Sequence, residues 1–262
     1  MPRFAANISL MFQEVDFLAR FARAARAGFA GVECLFPYAF EAADLRAELA
    51  AHGLELVLLN TPPGDWEAGE RGLAALPGRE VDFARAFEQA LSYARALDCS
   101  RIHVMAGIPP RGADPERCME VYLRNLRRAA ARAGECGIML LIEPINSRDL
   151  PGYFLNRTDA ARRIIERVAA PNLALQLDLY HCQIMEGDLA TRIRELLPLI
   201  GHVQIAGVPE RHEPDRGEVH YPYLFALLDE LGYAGWVGCE YRPAAGTEEG
   251  LDWLRRWRRM GE

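Results

Sequence analysis

Lysine is absent from the 262-residue chain, so all 30 basic residues are arginines. Schiff-base catalysis needs a lysine amine, and its absence excludes a class I aldolase. The missing lysine and the lack of a glycine-rich fingerprint also exclude a P-loop nucleotide site. With 37 acidic residues the formal net charge is −7, whereas a sequence-independent nucleic-acid binder needs a basic face.

Long apolar runs and paired cysteines are missing as well. No stretch approaches the roughly 18–20 apolar residues of a transmembrane helix. The opening residues, MPRFAANISLMF, lack the apolar region and cleavage site of a signal peptide. The six cysteines show neither CxxC pairs nor zinc-finger spacing, which fits small buried side chains in a reducing compartment. We therefore expect a cytoplasmic protein with neither a membrane nor a nucleic acid as its partner.

Short apolar runs alternate with longer amphipathic runs along the chain. The predicted strands are Phe4–Ile8, Gly31–Cys34, Leu54–Asn60, Arg101–Met105, Met139–Glu143, Leu173–Asp178, Gly201–Ile205 and Trp236–Glu240. The predicted helices are Val15–Ala27, Ala42–His52, Val81–Leu97, Pro115–Cys136, Thr158–Val168, Leu189–Leu197, Tyr221–Leu231 and Thr247–Met260. Strict alternation implies parallel strands. Eight units in a chain of this length favour an α/β fold, a (β/α)8 TIM barrel forming a single domain over residues 1–262.

Four successive predicted strands carry oxygen-bearing side chains at or near their ends. Strand five ends in Glu143, strand six in Asp178 and strand eight in Glu240, and strand seven carries Gln204. All strand C-termini of a parallel barrel point to one face, so these oxygens should converge at its mouth. Two unit charges about 4 Å apart repel by about 4 kcal/mol at an effective dielectric of about 20, so the group needs a cation. Hard oxygen ligands favour Mg2+ or Mn2+.

Other polar residues near the predicted mouth are candidates for contact with a substrate. His181 can hydrogen-bond a substrate oxygen, and Arg211 can pair with a substrate carboxylate through two parallel bonds. Asn7 either lines the pocket or serves a turn through hydrogen bonds.

The longest irregular stretch, Thr61–Glu80, follows strand three and carries Trp66. A loop of this length is typical of a lid, or of an exposed excursion. His103 and His202 fall inside predicted strands, and we expect both to be hydrogen-bonded core residues.

Long segments at successive strands resemble one known family. They are FAANISLMF, GVECLFPY, NTPPGDWEAGERGLAALPGRE, IEPINSRDLPGYFL, LQLDLYHCQIMEGDL, GHVQIAGVPERHEPDRGEVHY and GWVGCEYRP. Together they resemble the hydroxypyruvate isomerase family, a group of xylose-isomerase-like barrels close to the 2-oxo-tetronate isomerases and the ketose 3-epimerases. The resemblance implies that Glu143 and Glu240 are the catalytic pair and that Glu143, Asp178, Gln204 and Glu240 hold a divalent metal. Epimerase relatives often carry histidine where this chain has Gln204, which favours the isomerase branch.

The reaction that this resemblance implies converts hydroxypyruvate to tartronate semialdehyde by metal-assisted proton transfer through an enediolate. Glu143 or Glu240 would take the proton and the other would deliver one, in an order that the sequence leaves open. Alternatives with the same site are a 2-oxo-tetronate isomerase and a sugar epimerase. A nuclease resembling endonuclease IV and a non-catalytic sugar-acid binder are further alternatives, and the acidic charge argues against the nuclease. Barrels of this type often associate, so a homo-oligomer is also expected.

Overall fold

The computed structural model of the protein describes residues 2–260, apart from the side chains of residues 258–260. The strands are β1 (Arg3–Asn7), β2 (Gly31–Cys34), β3 (Glu55–Asn60), β4 (Arg101–His103), β5 (Met139–Ile142), β6 (Leu173–Asp178), β7 (Ile200–Ile205) and β8 (Trp236–Cys239). The α-helices are α1 (Ala19–Arg26), α2 (Ala42–His52), α3 (Glu80–Ala96), α4 (Pro115–Gly134), α5 (Thr158–Val168), α6 (Leu179–Met185), α7 (Leu189–Leu196), α8 (Tyr221–Glu230) and α9 (Asp252–Met260). Short 3-10 helices cover Leu197–Leu199 and Glu249–Leu251.

The sheet is a closed barrel in which each strand pairs in parallel with its neighbours in sequence. The last strand, β8, pairs with β1 in the same direction and closes the ring. This confirms the predicted (β/α)8 fold and a single domain. Because all strands run the same way, their C-terminal ends form one face, and the loops that follow them surround the mouth of the barrel.

Side chains fill the barrel interior in layers of different chemistry. The layer nearest the strand N-termini is apolar and includes Ala5, Val57, Leu141 and Trp236, a cluster distinct from the core between strands and helices. Gly31 completes this layer, since a Cβ atom there would lie 2.9 Å from the Trp236 ring. The residues above this layer are mostly polar, so chemistry is confined to the upper half of the barrel.

Local sequence explains where helix α4 begins. Helix α4 begins with Pro115 in its first turn, and the Asp114 carboxylate accepts a hydrogen bond from the Glu116 backbone N–H at 3.1 Å. Several predicted bounds were wrong, among them the start of the last helix, which begins at Asp252 rather than Thr247. The first helix begins at Ala19 rather than Val15. Helix α6, with only seven residues directly after β6, was missed because its apolar residues continue the strand pattern.

The six cysteines form no disulfide bonds, and five of them are buried. Burial raises the pKa of Cys34 and Cys99 to about 12, so these thiols are unreactive at neutral pH. Within residues 2–260, no helix combines the length and the apolar character needed to cross a membrane.

Candidate active site

The four oxygen-bearing side chains predicted at the strand ends all lie at the barrel mouth. Glu143 directly follows β5, Glu240 directly follows β8, Asp178 ends β6 and Gln204 lies near the end of β7. Asp178 pairs in register with Gln204, so these residues sit at one height on adjacent strands. All four are buried. The structure thus brings together residues that lie far apart in the sequence.

A cavity of about 660 Å3 opens at this face of the barrel. Its wall includes five of the predicted site residues: Trp66, Glu143, His181, Arg211 and Glu240. Polar residues that share the wall include Ser9, Arg20, Asn60, His103, Asp149 and Arg242. Asp178 and Gln204 are not part of the wall but contact residues that are, and they therefore form the floor beneath it.

Glu143 as a whole residue is only 4% exposed. Its Oε1 has no hydrogen-bond partner among the described residues, and its Oε2 lies 3.5 Å from His103 Nδ1. Burial raises the pKa of Glu143 well above its ordinary value, the charges of Glu240 and Asp178 raise it further, and Arg211 lowers it. A carboxyl group in such surroundings favours the binding of a proton or a cation.

The two oxygens of Asp178 serve different purposes. Oδ1 accepts hydrogen bonds from the backbone N–H groups of Tyr180 at 2.7 Å and His181 at 3.3 Å, which caps helix α6. Oδ2 has no hydrogen-bond partner among the described residues. Burial raises the pKa of Asp178 to about 6, although Arg211 and the two backbone bonds lower it. The cap therefore fixes the carboxyl plane and leaves one oxygen available to the site.

Glu143, Asp178 and His181 together can hold a metal ion. The Nε2 of His181 lies 3.6 Å from Asp178 Oδ2 and 3.7 Å from Glu143 Oε1, and these three atoms lie within 4.8 Å of one another. The two carboxylate oxygens are buried without partners, and such oxygens suit a divalent cation. His181 was predicted to contact a substrate and not to belong to the metal ligands, so its position beside both carboxylate oxygens is a new observation.

Glu240 is held between a cation and an amide. Its Oε1 accepts a hydrogen bond from Arg211 Nη2 at 2.9 Å, and its Oε2 accepts one from the Gln204 amide. Burial raises the pKa of Glu240 to about 8, against the lowering effect of Arg211 and with a further raising effect of Asp178. Glu143 and Glu240 therefore share one buried environment in which a full set of negative charges is unfavourable.

Arg211 is positioned by several neighbours. Its Nη1 lies 3.5 Å from Asp149 Oδ2, its Nη2 lies 3.9 Å from Asp178 Oδ2, and its guanidinium carbon lies 5.0 Å from the centre of the Tyr180 ring. Its backbone has a φ of +59°, and its N–H donates to the Gly207 carbonyl at 2.8 Å. A non-glycine residue with positive φ is strained, and such strain is concentrated at functional sites.

Carboxylates dominate the electrostatics around Arg211. Burial lowers the pKa of Arg211, but the negative charges of Glu240, Asp178, Glu143 and Asp149 outweigh it and raise the pKa above its ordinary value. The guanidinium therefore stays charged and partly neutralises the site. Arg216, the other arginine of this loop, lies 3.6 Å from Glu213 and is not part of the cavity wall.

A buried polar network supports Gln204 from below. Its Nε2 donates to Glu33 Oε2 at 2.9 Å and to Glu240, and its Oε1 accepts a bond from Gln176 Nε2 at 2.6 Å. The Glu33 carboxylate also accepts bonds from Asn7 and His202. Gln204 thus presents its nitrogen, rather than the predicted metal-binding oxygen, to Glu240.

Replacement of Gly238 by alanine should break this network. A Cβ atom on Gly238 would lie 2.5 Å from the carboxyl carbon of Glu33, so Glu33 would have to leave its bonds to Gln204 and His202. Overpacking of this kind costs about 2–3 kcal/mol, and we expect the Tm to fall by roughly 5–10 °C. Differential scanning calorimetry measures the change.

The control is Gly134→Ala. Gly134 ends helix α4, and a Cβ atom there would meet its nearest neighbour at an ordinary 3.5 Å. We expect the Tm of this variant to stay the same or rise, because alanine favours helix more than glycine does. Equal Tm values for the two variants would show that Glu33 can leave its place at no cost.

The loop of residues 61–79 borders one side of the cavity. Trp66 at its tip is 45% exposed and lines the cavity, and the guanidinium carbon of Arg71 lies 3.6 Å from the centre of its ring. The second half of the loop is fixed to the barrel, because Gly72 pairs with Ala106 and the Ala75 N–H donates to the Ala106 carbonyl at 2.8 Å. An exposed aromatic side chain on a loop that is anchored in this way is typical of a lid.

His103 was predicted as a hydrogen-bonded core residue, and this was wrong. Within the part of the chain that the structure describes, neither of its ring nitrogens has a hydrogen-bond partner, and the ring lines the cavity beside Glu143. Burial lowers the pKa of His103 to about 3, so the imidazole is neutral. Strand β4 ends at His103 instead of Met105. The histidine is therefore the last residue of its strand and lies in register with Leu141, two residues before Glu143.

Asn7 supports the site from within the protein and is not part of the cavity wall. Its Nδ2 donates to Glu33 Oε2 at 3.3 Å, and its Oδ1 accepts a bond from the Ser9 backbone N–H at 3.1 Å. Both ends of the amide are thereby used, so Asn7 orients Glu33, and its contact with a substrate stays a prediction.

Comparison with known proteins agrees with this architecture. The family model described as "Xylose isomerase-like TIM barrel" matches residues 21–257. The chain is 60% identical over 255 residues to the 2-oxo-tetronate isomerase of Cupriavidus necator, with 97% of this chain and 98% of that protein covered. It is 46% identical over 258 residues to the hydroxypyruvate isomerase of Escherichia coli, with 98% and 100% covered.

A solved structure matches over almost its full length. The protein from Brucella melitensis described as "AP endonuclease, family 2" superposes with a TM-score of 0.96 at 54% identity, with 98% of this chain and 99% of that chain covered. The chain therefore belongs to the xylose isomerase-like TIM barrel family.

Proposed function

We propose that this enzyme, an isomerase, interconverts hydroxypyruvate and tartronate semialdehyde (2-hydroxy-3-oxopropanoate) by proton transfer through an enediolate. The observation that carries the proposal is that Glu143 and Glu240 border one cavity, and each is largely withdrawn from solvent. Isomerases at 45–60% identity over nearly the full chain, named for hydroxypyruvate and 2-oxo-tetronate, support this class of reaction.

The reaction moves a hydrogen between neighbouring carbons, and two carboxyl groups can do this. One glutamate takes a proton from C3, the C–H electron pair forms the C2–C3 double bond, and the carbonyl oxygen on C2 becomes anionic. The C3 hydroxyl then transfers its proton to the C2 oxygen and becomes the aldehyde, while the other glutamic acid protonates C2. One of Glu143 and Glu240 must begin charged and the other protonated, and the raised pKa values of both suit a shared proton.

Arg211 and His181 are suited to hold the substrate. The Arg211 guanidinium is charged, is positioned by Asp149 and Tyr180, and can pair with the substrate carboxylate. His181 Nε2 lies between the two carboxylates at the floor of the cavity and can contact a substrate oxygen. The lid that carries Trp66 would exclude water and protect the enediolate.

We propose Mg2+ or Mn2+ as the cofactor, held by Glu143, Asp178, Gln204 and Glu240. The unpartnered buried oxygens of Glu143 and Asp178 fit such an ion. Gln204 Oε1 faces Gln176, so its use as a ligand requires the amide to turn over. When bound, the ion stabilises the negative oxygen of the enediolate and makes the adjacent C–H more acidic.

A second candidate substrate is a 2-oxo-tetronate, which needs the same chemistry on a chain of four carbons. The 60% identity to the Cupriavidus necator 2-oxo-tetronate isomerase favours it. A cavity of about 660 Å3 also leaves room for a substrate longer than three carbons.

The test is a side-by-side assay of hydroxypyruvate, 2-oxo-tetronates and free ketoses, run in D2O. We expect turnover of a 2-oxo acid with deuterium from solvent at the newly formed C–H. The ratio of kcat/KM values for the three- and four-carbon acids then decides between the two substrates. Turnover of free ketoses alone would overturn the proposal.

The protein's partners and location are also proposals. We propose that it binds a small 2-oxo acid and binds neither nucleic acid nor membranes. We further propose that it is a cytoplasmic homo-oligomer. The net charge of −7 and a carboxylate-rich cavity argue against nuclease action on DNA. Cysteines without disulfide bonds fit a reducing compartment. Cleavage of abasic DNA by the purified protein would contradict this view, and light scattering measures its oligomeric state.

A further inference from the structure

The Nδ1 atom of His181 is enclosed by hydrogen-bond donors. The side-chain Nδ2 of Asn146 lies 2.6 Å from it, and the backbone N–H of Asn146 points at it from 3.4 Å. An amide nitrogen is always a donor. Both His181 and Asn146 are buried, so water cannot easily replace either contact.

The orientation of the Asn146 amide is itself determined by a second bond. Its Oδ1 accepts a hydrogen bond from the Asp149 backbone N–H at 2.7 Å. If the amide turned over, its NH2 group would face that N–H, and its oxygen would replace the donor at His181. The short turn that carries Asn146 therefore determines which atom faces the imidazole.

We infer that Asn146 is a positioning residue that holds His181 in the tautomer with its proton on Nε2, so that His181 acts as a hydrogen-bond donor and not as a metal ligand. With two donors at Nδ1, that nitrogen must carry the lone pair, and the single ring proton resides on Nε2. The donor role toward a substrate oxygen rests on the proposed function, whereas the tautomer does not.

This inference changes how the group of Glu143, Asp178 and His181 can hold a cation. Nε2 lies within 3.7 Å of a carboxylate oxygen of both acidic residues, and geometry alone would admit it as a ligand. A protonated Nε2 has no lone pair to offer, so the coordination is left to oxygen atoms. The same N–H is directed toward the floor of the cavity, where a substrate oxygen that gains negative charge can accept its bond.

The tautomer can be measured directly by nitrogen-15 NMR of the metal-free protein with labelled histidine. His181→Gln identifies the signals of this ring. We expect Nδ1 to be unprotonated and Nε2 to carry the proton in the wild-type protein. A proton on Nδ1 would overturn the inference, whatever the activity of the enzyme.

Two variants separate the tautomer from simple support of the ring. Asn146→Ala removes one donor but leaves the backbone N–H at Nδ1, so we expect kcat to fall by about 3- to 10-fold, the loss typical of one hydrogen bond. Asn146→Asp has the same shape but places an acceptor at Nδ1 and draws the proton there. We expect kcat to fall by a further factor of about 10 or more, in the range for loss of one oxyanion donor, with a smaller change in KM.

A purely structural role predicts the opposite order, because alanine removes more contacts than aspartate does. Equal or higher activity of Asn146→Asp compared with Asn146→Ala would therefore overturn the inference, as long as circular dichroism shows both variants folded. The second readout is pulsed EPR with Mn2+ alone as the probe. We expect no directly bound nitrogen in the wild-type protein, and a histidine nitrogen on the ion there would also contradict the inference.

Discussion

Glutamine in place of Glu240 should lower kcat by about 10,000-fold, the upper range for loss of a general acid or base. The amide has the shape of the carboxyl group but can neither take nor deliver a proton. We expect a similar loss for Glu143→Gln, since both groups border the same cavity. The two replacements should not add up, because removal of either proton carrier already stops the reaction. Steady-state kinetics with the preferred 2-oxo acid measures these effects.

Glu240→Gln should lower kcat but should not lower the stability of the folded protein. Burial raises the pKa of Glu240 to about 8, above the value of about 4.3 for an exposed glutamate. A carboxyl group whose pKa is raised by folding lowers the free energy of unfolding. This loss is complete above pH about 8 and fades as the pH falls from about 8 to about 4.3. We therefore expect the metal-free variant to be at least as stable as the wild type at pH 8. The control is Glu218→Gln, at an exposed position in the loop after β7. This variant should change neither kcat nor the stability of the folded protein.

A variant of Glu240 or Glu143 that keeps a tenth of the wild-type kcat would contradict the assigned chemistry. The reaction would then need another proton carrier, and the unpartnered imidazole of His103 would be the first residue to test. A parallel loss of kcat and of the folded state would be uninformative about catalysis, so thermal unfolding accompanies every kinetic measurement.

The second large effect concerns the cation. Treatment with a chelator should abolish turnover, and Mg2+ or Mn2+ should restore it. We expect Asp178→Asn to weaken Mn2+ binding by about 100-fold or more, since even indirect partners of a metal contribute about 10- to 100-fold. The amide keeps an oxygen for the backbone bonds that cap helix α6, so the fold is retained. Isothermal titration calorimetry with Mn2+ measures the change.

The effect of Asp178→Asn on the Tm should change sign when metal is added. Without metal, the replacement removes a buried carboxylate. Burial raises the pKa of this group to about 6, so its charge at neutral pH is unfavourable and the Tm of the variant should rise. With metal the wild type gains about 2.7 kcal/mol at a concentration of 100 Kd, and the variant gains far less. The exposed Asp188, at the start of α7, provides the control variant Asp188→Asn. Full activity in the presence of chelator would show that the reaction does not need a cation.

Much of the fold and part of the site follow from local pattern. Strict alternation of apolar and amphipathic runs predicts the barrel, and a parallel barrel brings the ends of its strands together. Glu143 and Asp178 could therefore be assigned to the mouth from their positions alone. His103 escaped notice because β4 is two residues shorter than its apolar run suggests. Strand ends depend on the neighbouring strands, which a single run of sequence does not describe.

Hydrogen-bond partners could not be predicted from the sequence, because they join distant parts of the chain. Asn146 and His181 are 35 residues apart, and Glu33 and His202 are 169 apart. Nothing in the residues around Asn146 distinguishes it from an ordinary loop asparagine. The direction of the Gln204 amide depends likewise on Gln176 and is visible only when the barrel is closed.

The close approach of Glu33 to Gly238 restricts how sequences of this family can diverge. The carboxyl group fills the space that any larger residue at 238 would need, so a larger residue at 238 requires residue 33 to move or to become smaller. A lineage that acquires alanine at 238 must also shorten residue 33, and with it lose the acceptor that orients Gln204. The two sites should therefore covary in an alignment of relatives, and their joint replacement would mark a branch whose barrel mouth has been reorganised.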